Sequence, residues 1–149
     1  MKRYIYLSLA TAVLITASSI GAQAQSRNRQ RLIVEIPFAF NAGNQQLPAG
    51  EYNVHIVNPA SDRSVVLIKS SDGKSSALLG TTDIIGSSTS RAKLVFRRYD
   101  SRYFLAQVWM ASEATGMSAP NSKAEKSLRS KLGINNQKAD VVAVNARWK

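Results

Sequence analysis

The side chains of this 149-residue chain that could do chemistry are few and scattered. His55 is the single histidine and there is no cysteine, so the usual zinc sites cannot be built. Residues 71–74 have Ser-x-x-Lys spacing without the other elements of an acyl-enzyme site. Of the nine carboxylates, Glu35 and Asp83 are the least easily explained by turns or caps, and a glycosidase needs two carboxylates that converge. We therefore expect a non-enzymatic protein without metal or cofactor, and a carboxylate-based hydrolase is the less favoured alternative.

A basic and aromatic surface is predicted on the hairpin formed by residues 92–99 and 103–111. A three-residue loop at 100–102 keeps the apolar positions together, whereas a two-residue loop sets Arg97 opposite Phe104 and mixes polar with core positions. The predicted pairs are Tyr99 with Tyr103, Arg97 with Leu105, Val95 with Gln107, and Lys93 with Trp109. The predicted core face holds Ala92, Leu94, Phe96, Phe104, Ala106, Val108 and Met110. The candidate binding face holds Lys93, Arg97, Tyr99, Tyr103 and Trp109.

Such a face has the chemistry to bind an anionic sugar. Aromatic rings stack on sugar faces, and arginine pairs with carboxylate or phosphate groups. Two structural alternatives stay open, because the same residues could stabilise the hairpin by cross-strand pairing or could be covered by a helix predicted at 122–131.

The first 24 residues have the three parts of a cleaved signal peptide. Lys2 and Arg3 form a positive start, an apolar run extends over residues 4–20, and Ala22-Gln23-Ala24 supplies a cleavage site. The run is interrupted by serine and threonine and falls short of the roughly 18 apolar residues of a spanning helix. We expect export across the inner membrane to the periplasm or the medium, with no transmembrane segment after cleavage.

The expected mature chain is strongly basic. The full chain has 20 Lys and Arg against nine Asp and Glu, and loss of Lys2 and Arg3 leaves 18 against nine, a net charge of +9. This favours anionic partners, for which the candidates are an acidic polysaccharide or an envelope lipid. Export disfavours nucleic acid as a partner. The alternative is that the charge only keeps the protein soluble.

The remaining sequence predicts one β-rich domain at 32–149, after a flexible basic leader at 25–31. Apolar residues alternate with polar ones, and turn signals such as Asp72-Gly73 separate the runs. The predicted strands cover 32–40, 45–47, 52–56, 64–69, 75–85, 92–99, 103–111 and 140–148. Pro37 cannot donate to a ladder, so the first strand should be an edge or be bulged there. We expect an antiparallel β-sandwich or a partly open barrel of about seven or eight strands.

One helix interrupts this pattern near the C-terminus. Ser122 and Glu125 have capping-box spacing, in which the hydroxyl accepts from the amide of residue 125 and the carboxylate reaches back. Good helix formers continue to Lys131, and Gly133 is a natural stop. The sequence predicts a short helix that lies over the edge of the sheet.

Several of these segments together resemble a group of small secreted bacterial β-proteins without an assigned activity. The segments are Ile-Pro-Phe-Ala-Phe at 36–40, Leu-Pro-Ala-Gly-Glu-Tyr at 47–52, Ser-Asp-Gly-Lys at 71–74, Tyr-Phe-Leu-Ala-Gln-Val-Trp at 103–109 and Ser-Lys-Ala-Glu at 122–125. The resemblance extends over about residues 34–146 and implies a shared fold. Since its motifs are turn, strand and cap features, it transfers no functional residue.

The function expected from these observations is that of a secreted binding or structural module of the envelope or exterior. Its candidate contacts are anionic glycan or lipid surfaces. The alternative class is a small barrel that holds an apolar ligand. Neither the ligand nor the oligomeric state follows from the sequence.

Overall fold

Two β-sheets and one helix make up the described part of the chain. The computed structural model describes residues 31–57, 64–134 and 138–148. The predicted signal peptide and most of the predicted leader lie outside these ranges. The strands are β1 (Arg31–Ile36), β2 (Phe40–Ala42), β3 (Gln45–Leu47), β4 (Gly50–Ile56), β5 (Val65–Ser70), β6 (Ser76–Gly80), β7 (Thr82–Ile85), β8 (Lys93–Tyr99), β9 (Arg102–Trp109), β10 (Thr115–Ser118), β11 (Asp140–Asn145) and β12 (Arg147–Trp148). The helix is α1 (Lys123–Lys131).

The architecture confirms the predicted all-β class with one short helix. Sheet A has the antiparallel order β12-β1-β4-β5-β6, and sheet B has the order β11-β8-β9-β10-β7. The β2–β3 hairpin joins sheet B through a parallel pairing of β2 with β9. Over the described residues the sheets form a sandwich and do not close into a barrel.

The described residues form twelve strands rather than seven or eight, because three predicted strands are each divided where the chain passes between the sheets and because β10 forms where no strand was predicted. The predicted strand 32–40 breaks after Ile36, where Pro37 has no amide hydrogen to donate. The strand 75–85 breaks at Thr81, whose amide donates to the Ser64 carbonyl at 2.8 Å. The strand 140–148 breaks at Ala146, whose amide donates to the Ala92 carbonyl at 2.8 Å. The crossings at Thr81 and Ala146 join the two sheets at their two lateral edges.

The core lies between the inner faces of the two sheets, as strand alternation predicts. Sheet A contributes the alternating residues of β1, β4 and β5, and sheet B contributes those of β8 and β9. Fully buried members are Leu32, Val34, Ile36, Tyr52, Val54, Val66, Ile68, Leu94, Phe96, Val108 and Met110. Phe40 crosses the layer, with edge contacts to Tyr52 and Phe96 at ring-centroid distances of 5.3 and 5.4 Å.

The β8–β9 register differs from the prediction near the turn. Lys93 faces Trp109 and Val95 faces Gln107, as predicted, but Phe96 then faces Leu105, which leaves Ala106 as an extra residue in a β-bulge. The last pair of the ladder is Tyr99 with Arg102, so the loop has two residues. The bulge explains the error, since the prediction considered only ladders of constant register.

The bulge exchanges the faces of the residues between it and the turn. Leu105 belongs to the central core and Tyr103 packs against it, whereas Phe104 and Ala106 are buried outside that core cluster. Phe104 and Ala106 are buried, as predicted, but outside the central cluster, while the predicted placement of Tyr103 on the candidate face is wrong. The Ala106 carbonyl accepts from Ala119 N–H at 2.8 Å and guides the chain from β10 toward α1.

Helix α1 begins and ends as its sequence predicts. The Ser122 hydroxyl accepts from the Glu125 amide at 3.1 Å. At the other end Gly133, with φ 68°, supports bonds from Gly133 to Ser130 and from Ile134 to Arg129. The Glu125 carboxylate, however, bonds to Arg97 and Tyr99 rather than reaching back as a capping box requires. Consequently α1 lies on the outer face of the β8–β9 hairpin rather than over a sheet edge.

Candidate functional site

The structure separates the five residues of the predicted binding face into distinct environments. Arg97 and Tyr99 lie beneath α1 and bind its one carboxylate. Arg97 Nε lies 2.6 Å from Glu125 Oε1 and a terminal nitrogen lies 3.0 Å from Oε2, while the Tyr99 hydroxyl donates to Oε1 at 3.0 Å. Glu125 is 1 % exposed and the Arg97 side chain 20 %. For these two residues, the alternative that a helix covers them is therefore the correct one.

The environment of Tyr99 favours its neutral form. Burial, and then the hydrogen bond to the Glu125 carboxylate, raise the pKa of the Tyr99 phenol. The guanidinium of Arg129 lies 6.0 Å from the centre of the Tyr99 ring, within cation–π range. Tyr99 is thus a buried anchor for α1 and is not accessible to a sugar.

Trp109 lies flat on a surface made by two glycines. A Cβ at Gly116, its partner on β10, would come within 2.6 Å of the indole, and one at Gly86 would come within 2.4 Å. The indole N–H donates to Gln107 Oε1 at 2.9 Å, and Trp109 is 8 % exposed. This packing holds β9, β10 and the end of β7 together. A Trp109 substitution would therefore lower the stability of the fold, and a loss of binding in such a variant would not by itself identify Trp109 as a binding residue.

The other two residues of the predicted face are also apart from each other. Tyr103 stacks on Phe38, with ring centroids 3.8 Å apart, on the core side of the hairpin. Lys93 is partly exposed at the far end of β8, opposite Asn145 of β11. The five side chains therefore do not form one continuous aromatic and cationic surface.

The exposed cationic surface beside this hairpin belongs to α1. At 3.6 residues per turn, five exposed residues fall within an arc of about 140°. They are Lys123, Lys126, Ser127, Ser130 and Lys131, and we call them the lysine face. Sequence analysis treated this helix as a cover and missed the face, although helical periodicity applied to 123–131 would have identified it.

The chemistry available on the described surface is that of ion pairing and hydrogen bonding. In residues 31–57, 64–134 and 138–148, no three His, Asp or Glu side chains are placed to hold a metal ion. His55 lies on the outer side of sheet A, partly exposed, between Arg31 of β1 and Leu67 of β5. No helix in the described ranges has the length and apolar character needed to span a bilayer.

Comparison with known proteins gives no match to a family model, to a curated protein or to a solved structure. The resemblance to small secreted bacterial β-proteins stays a prediction. A functional assignment therefore depends on the chemistry of the chain itself.

Proposed function

We propose that this chain is an exported, non-enzymatic binding module that attaches to an acidic polysaccharide of the cell envelope through the lysine face of α1. The observation that carries the proposal is the inward position of Glu125. It is the only carboxylate of α1, and Arg97 neutralises it beneath the helix. The charges that α1 presents outward are therefore all positive.

The geometry of the face suits a flexible anionic polymer. Lys123 and Lys126 are one turn apart and Lys131 follows on the same exposed arc, while Ser127 and Ser130 between them are small. A lysine ammonium pairs with carboxylate, sulfate or phosphate without a fixed orientation. Repeated anionic groups along a chain can thus engage the three lysines in several registers.

A lipid surface is the less favoured partner. Helices that bind within a membrane interface insert large apolar side chains, and the lysine face has none. Leu128 is partly buried, and the exposed Leu132 caps the helix outside the arc of the lysine face. A lipid headgroup could attract the lysines electrostatically, but the lysine face itself has no apolar side chain to insert.

Two experiments test this proposal. The protein is expressed with its own first 24 residues in a bacterial host, and mass spectrometry of the exported product checks cleavage after Ala24. Binding of that product to an acidic polysaccharide, its neutral counterpart and anionic vesicles is measured at low and physiological salt. We expect saturable binding to the acidic polysaccharide that persists at physiological salt.

The decisive comparison uses two triple variants of equal charge. Lys123→Gln, Lys126→Gln and Lys131→Gln together should weaken binding by about 3- to 100-fold, since three exposed ion pairs at about 0.2–1 kcal/mol each contribute about 0.6–3 kcal/mol. The matched control replaces Arg31, Lys69 and Lys74, three exposed cations of sheet A and its turn, with glutamine. Equal weakening in both variants would show nonspecific attraction to net charge and would contradict the proposal. Stronger binding to anionic vesicles than to the acidic polysaccharide would identify a lipid surface as the partner instead.

A further inference from the structure

A second polar surface lies at the other side of the sandwich, where β12 joins sheet A. It is a groove of about 330 Å³ between β1, β4 and the crossing at Ala146. Its lining residues are Ile33, Glu35, Glu51, Arg91, Asn145, Ala146 and Arg147, and we call it the charged groove. It contains two carboxylates and two guanidinium groups, so its net charge is zero although the protein is basic.

The two carboxylates of the charged groove face each other. Glu35 of β1 is the register partner of Glu51 of β4, and side chains directly opposite in an antiparallel pair have Cβ atoms about 4.5–5.5 Å apart. Like charges at such positions are destabilising. Arg147 offsets part of this repulsion from the Glu51 side, and a cation beside Glu35 would offset more of it.

One carboxylate of the pair is engaged and the other is not. Glu51 Oε1 accepts from the Ser71 hydroxyl at 2.8 Å, and Oε2 accepts from Arg147 at 3.1 Å. Within the described part of the chain, Glu35 has no hydrogen-bond or ion-pair partner, and neither has the Arg91 side chain. Glu35 and Arg91 line the same groove without meeting each other.

Hydrogen bonds anchor the backbone at Arg91. The Arg91 carbonyl accepts from the Thr89 hydroxyl at 2.9 Å, and the next carbonyl, that of Ala92, holds the crossing at Ala146. Glu35 is fixed in the β1–β4 ladder. Among the described residues the groove thus presents an unpaired anion and an unpaired cation on two anchored stretches of backbone, and a ligand that carries both charges would complement them.

We propose that the charged groove binds a short peptide zwitterion, with the ligand ammonium at Glu35 and its carboxylate at Arg91. The Glu51–Arg147 pair lines the same groove and offers hydrogen bonds to the peptide groups. The site is distinct from the lysine face, which lies on the outer side of sheet B. At the lower end of the range for ligand pockets, its volume suits a chain of a few small residues.

The test uses glycine, diglycine and triglycine as probes with the exported product. Amide chemical shifts of the groove residues are followed by NMR during titration. We expect saturable shifts with at least one probe, with a dissociation constant on the order of millimolar for so exposed a site. N-acetylation or C-terminal amidation of the best probe removes one charge and should weaken binding on the order of tenfold.

Two variants assign each charge to its residue. Glu35→Gln should weaken binding of the unblocked probe on the order of tenfold and leave binding of the N-acetylated probe unchanged. Arg91→Gln should likewise weaken binding of the unblocked probe and leave binding of the C-terminally amidated probe unchanged. Lys69→Gln, an exposed change on another strand of sheet A, should change the binding of neither the unblocked nor the blocked probes. Absence of saturable shifts with all three probes, equal binding of blocked and free probes, or insensitivity to Glu35→Gln would each overturn the proposal. None of these results bears on binding to the lysine face.

Discussion

Arg97 on β8 and Glu125 on α1 form a two-point ion pair across the boundary between sheet and helix, with contacts of 2.6 and 3.0 Å. The carboxylate also accepts from the Tyr99 hydroxyl. One buried side chain therefore determines where α1 lies and removes the negative charge from the helix surface. The inward position of Glu125 therefore explains both where α1 lies and why the charge of its exposed face is positive.

Glu125→Ala should lower the free energy of unfolding by about 3 kcal/mol. Removing one partner of a buried pair leaves the other charge uncompensated, at a cost of about 3–5 kcal/mol, and the 20 % exposure of Arg97 places this case at the lower end. Urea denaturation monitored by tryptophan fluorescence measures the loss. Lys126→Ala, an exposed change on the next residue, is the matched control and should cost little.

The double variant Arg97→Met, Glu125→Leu separates the ion pair from the packing. Replacing both charges with apolar groups is often nearly neutral, so the double variant should recover much of the loss in Glu125→Ala. A double variant that is less stable than Glu125→Ala would show that the pair itself is indispensable.

The Tyr99 phenol should make the protein less stable at alkaline pH. Burial first, and then the Glu125 hydrogen bond, raise the pKa of Tyr99 above its ordinary value of 10.0. As pH rises through about 10 the unfolded chain loses its phenolic proton first, so the free energy of unfolding falls. Below that pH both states are protonated and the stabilisation is fully present.

Tyr99→Phe should start from a lower melting temperature and then lose less of it between about pH 9 and about pH 11. Calorimetric scans across this range test the difference in slope. Burial also raises the pKa of Tyr52, so the variant should keep part of the alkaline decline. Parallel curves for the variant and the parent protein would exclude the contribution of Tyr99.

Much of the fold could be predicted because strand alternation, turn residues and caps are local signals. The core faces of β1 and β4, the hairpin at Gly73 and the start of α1 at Ser122 all follow from neighbours in sequence. The crossings at Thr81 and Ala146 could not be predicted in the same way. Their causes are bonds to the distant residues Ser64 and Ala92, which sequence periodicity does not contain.

The candidate site was harder to predict because it depends on one extra residue and one distant carboxylate. The bulge at Ala106 moves Tyr103 to the core side, and alternation alone cannot locate it. Glu125 has the spacing of a capping box, so the local signal assigned its carboxylate to Ser122 rather than to Arg97, which lies 28 positions away. The bond from the Glu125 amide to the Ser122 hydroxyl forms as the capping box predicts, but the Glu125 carboxylate binds Arg97 instead of the Ser122 amide.

Trp109→Ala should lower the free energy of unfolding by about 3 kcal/mol or more, because it removes a buried aromatic side chain. Gly116→Ala should also destabilise, by about 1–3 kcal/mol, since its Cβ would come within 2.6 Å of the indole. The double variant should lose less than the sum of the two, because the clash disappears with the ring. Denaturation of all three variants completes the cycle. If the two losses of stability simply add, the clash with the Trp109 indole is not the cause of the destabilisation by Gly116→Ala.

Gly80→Ala is the matched control for the glycine change. No atom lies within 4 Å of the position its Cβ would take, and it also lies in a strand. We expect its free energy of unfolding to stay within about 1 kcal/mol of the parent protein, the span of strand propensities. A loss as large as that of Gly116→Ala would point to backbone effects common to both glycines.

The two-residue turn between β8 and β9 places Asp100 in the left-handed region, with φ 54°. That region costs about 1–2 kcal/mol for residues with a Cβ, although aspartate tolerates it better than most. Asp100→Gly should therefore raise the free energy of unfolding by up to about 1 kcal/mol, and Asp100→Val should lower it by about 1–2 kcal/mol. Ser101→Val, at the other turn position, does not require positive φ and should have a smaller effect. Equal effects of valine at both positions would contradict the two-residue turn and restore the three-residue loop, and with it the uniform register in which Tyr103 shares a face with Arg97.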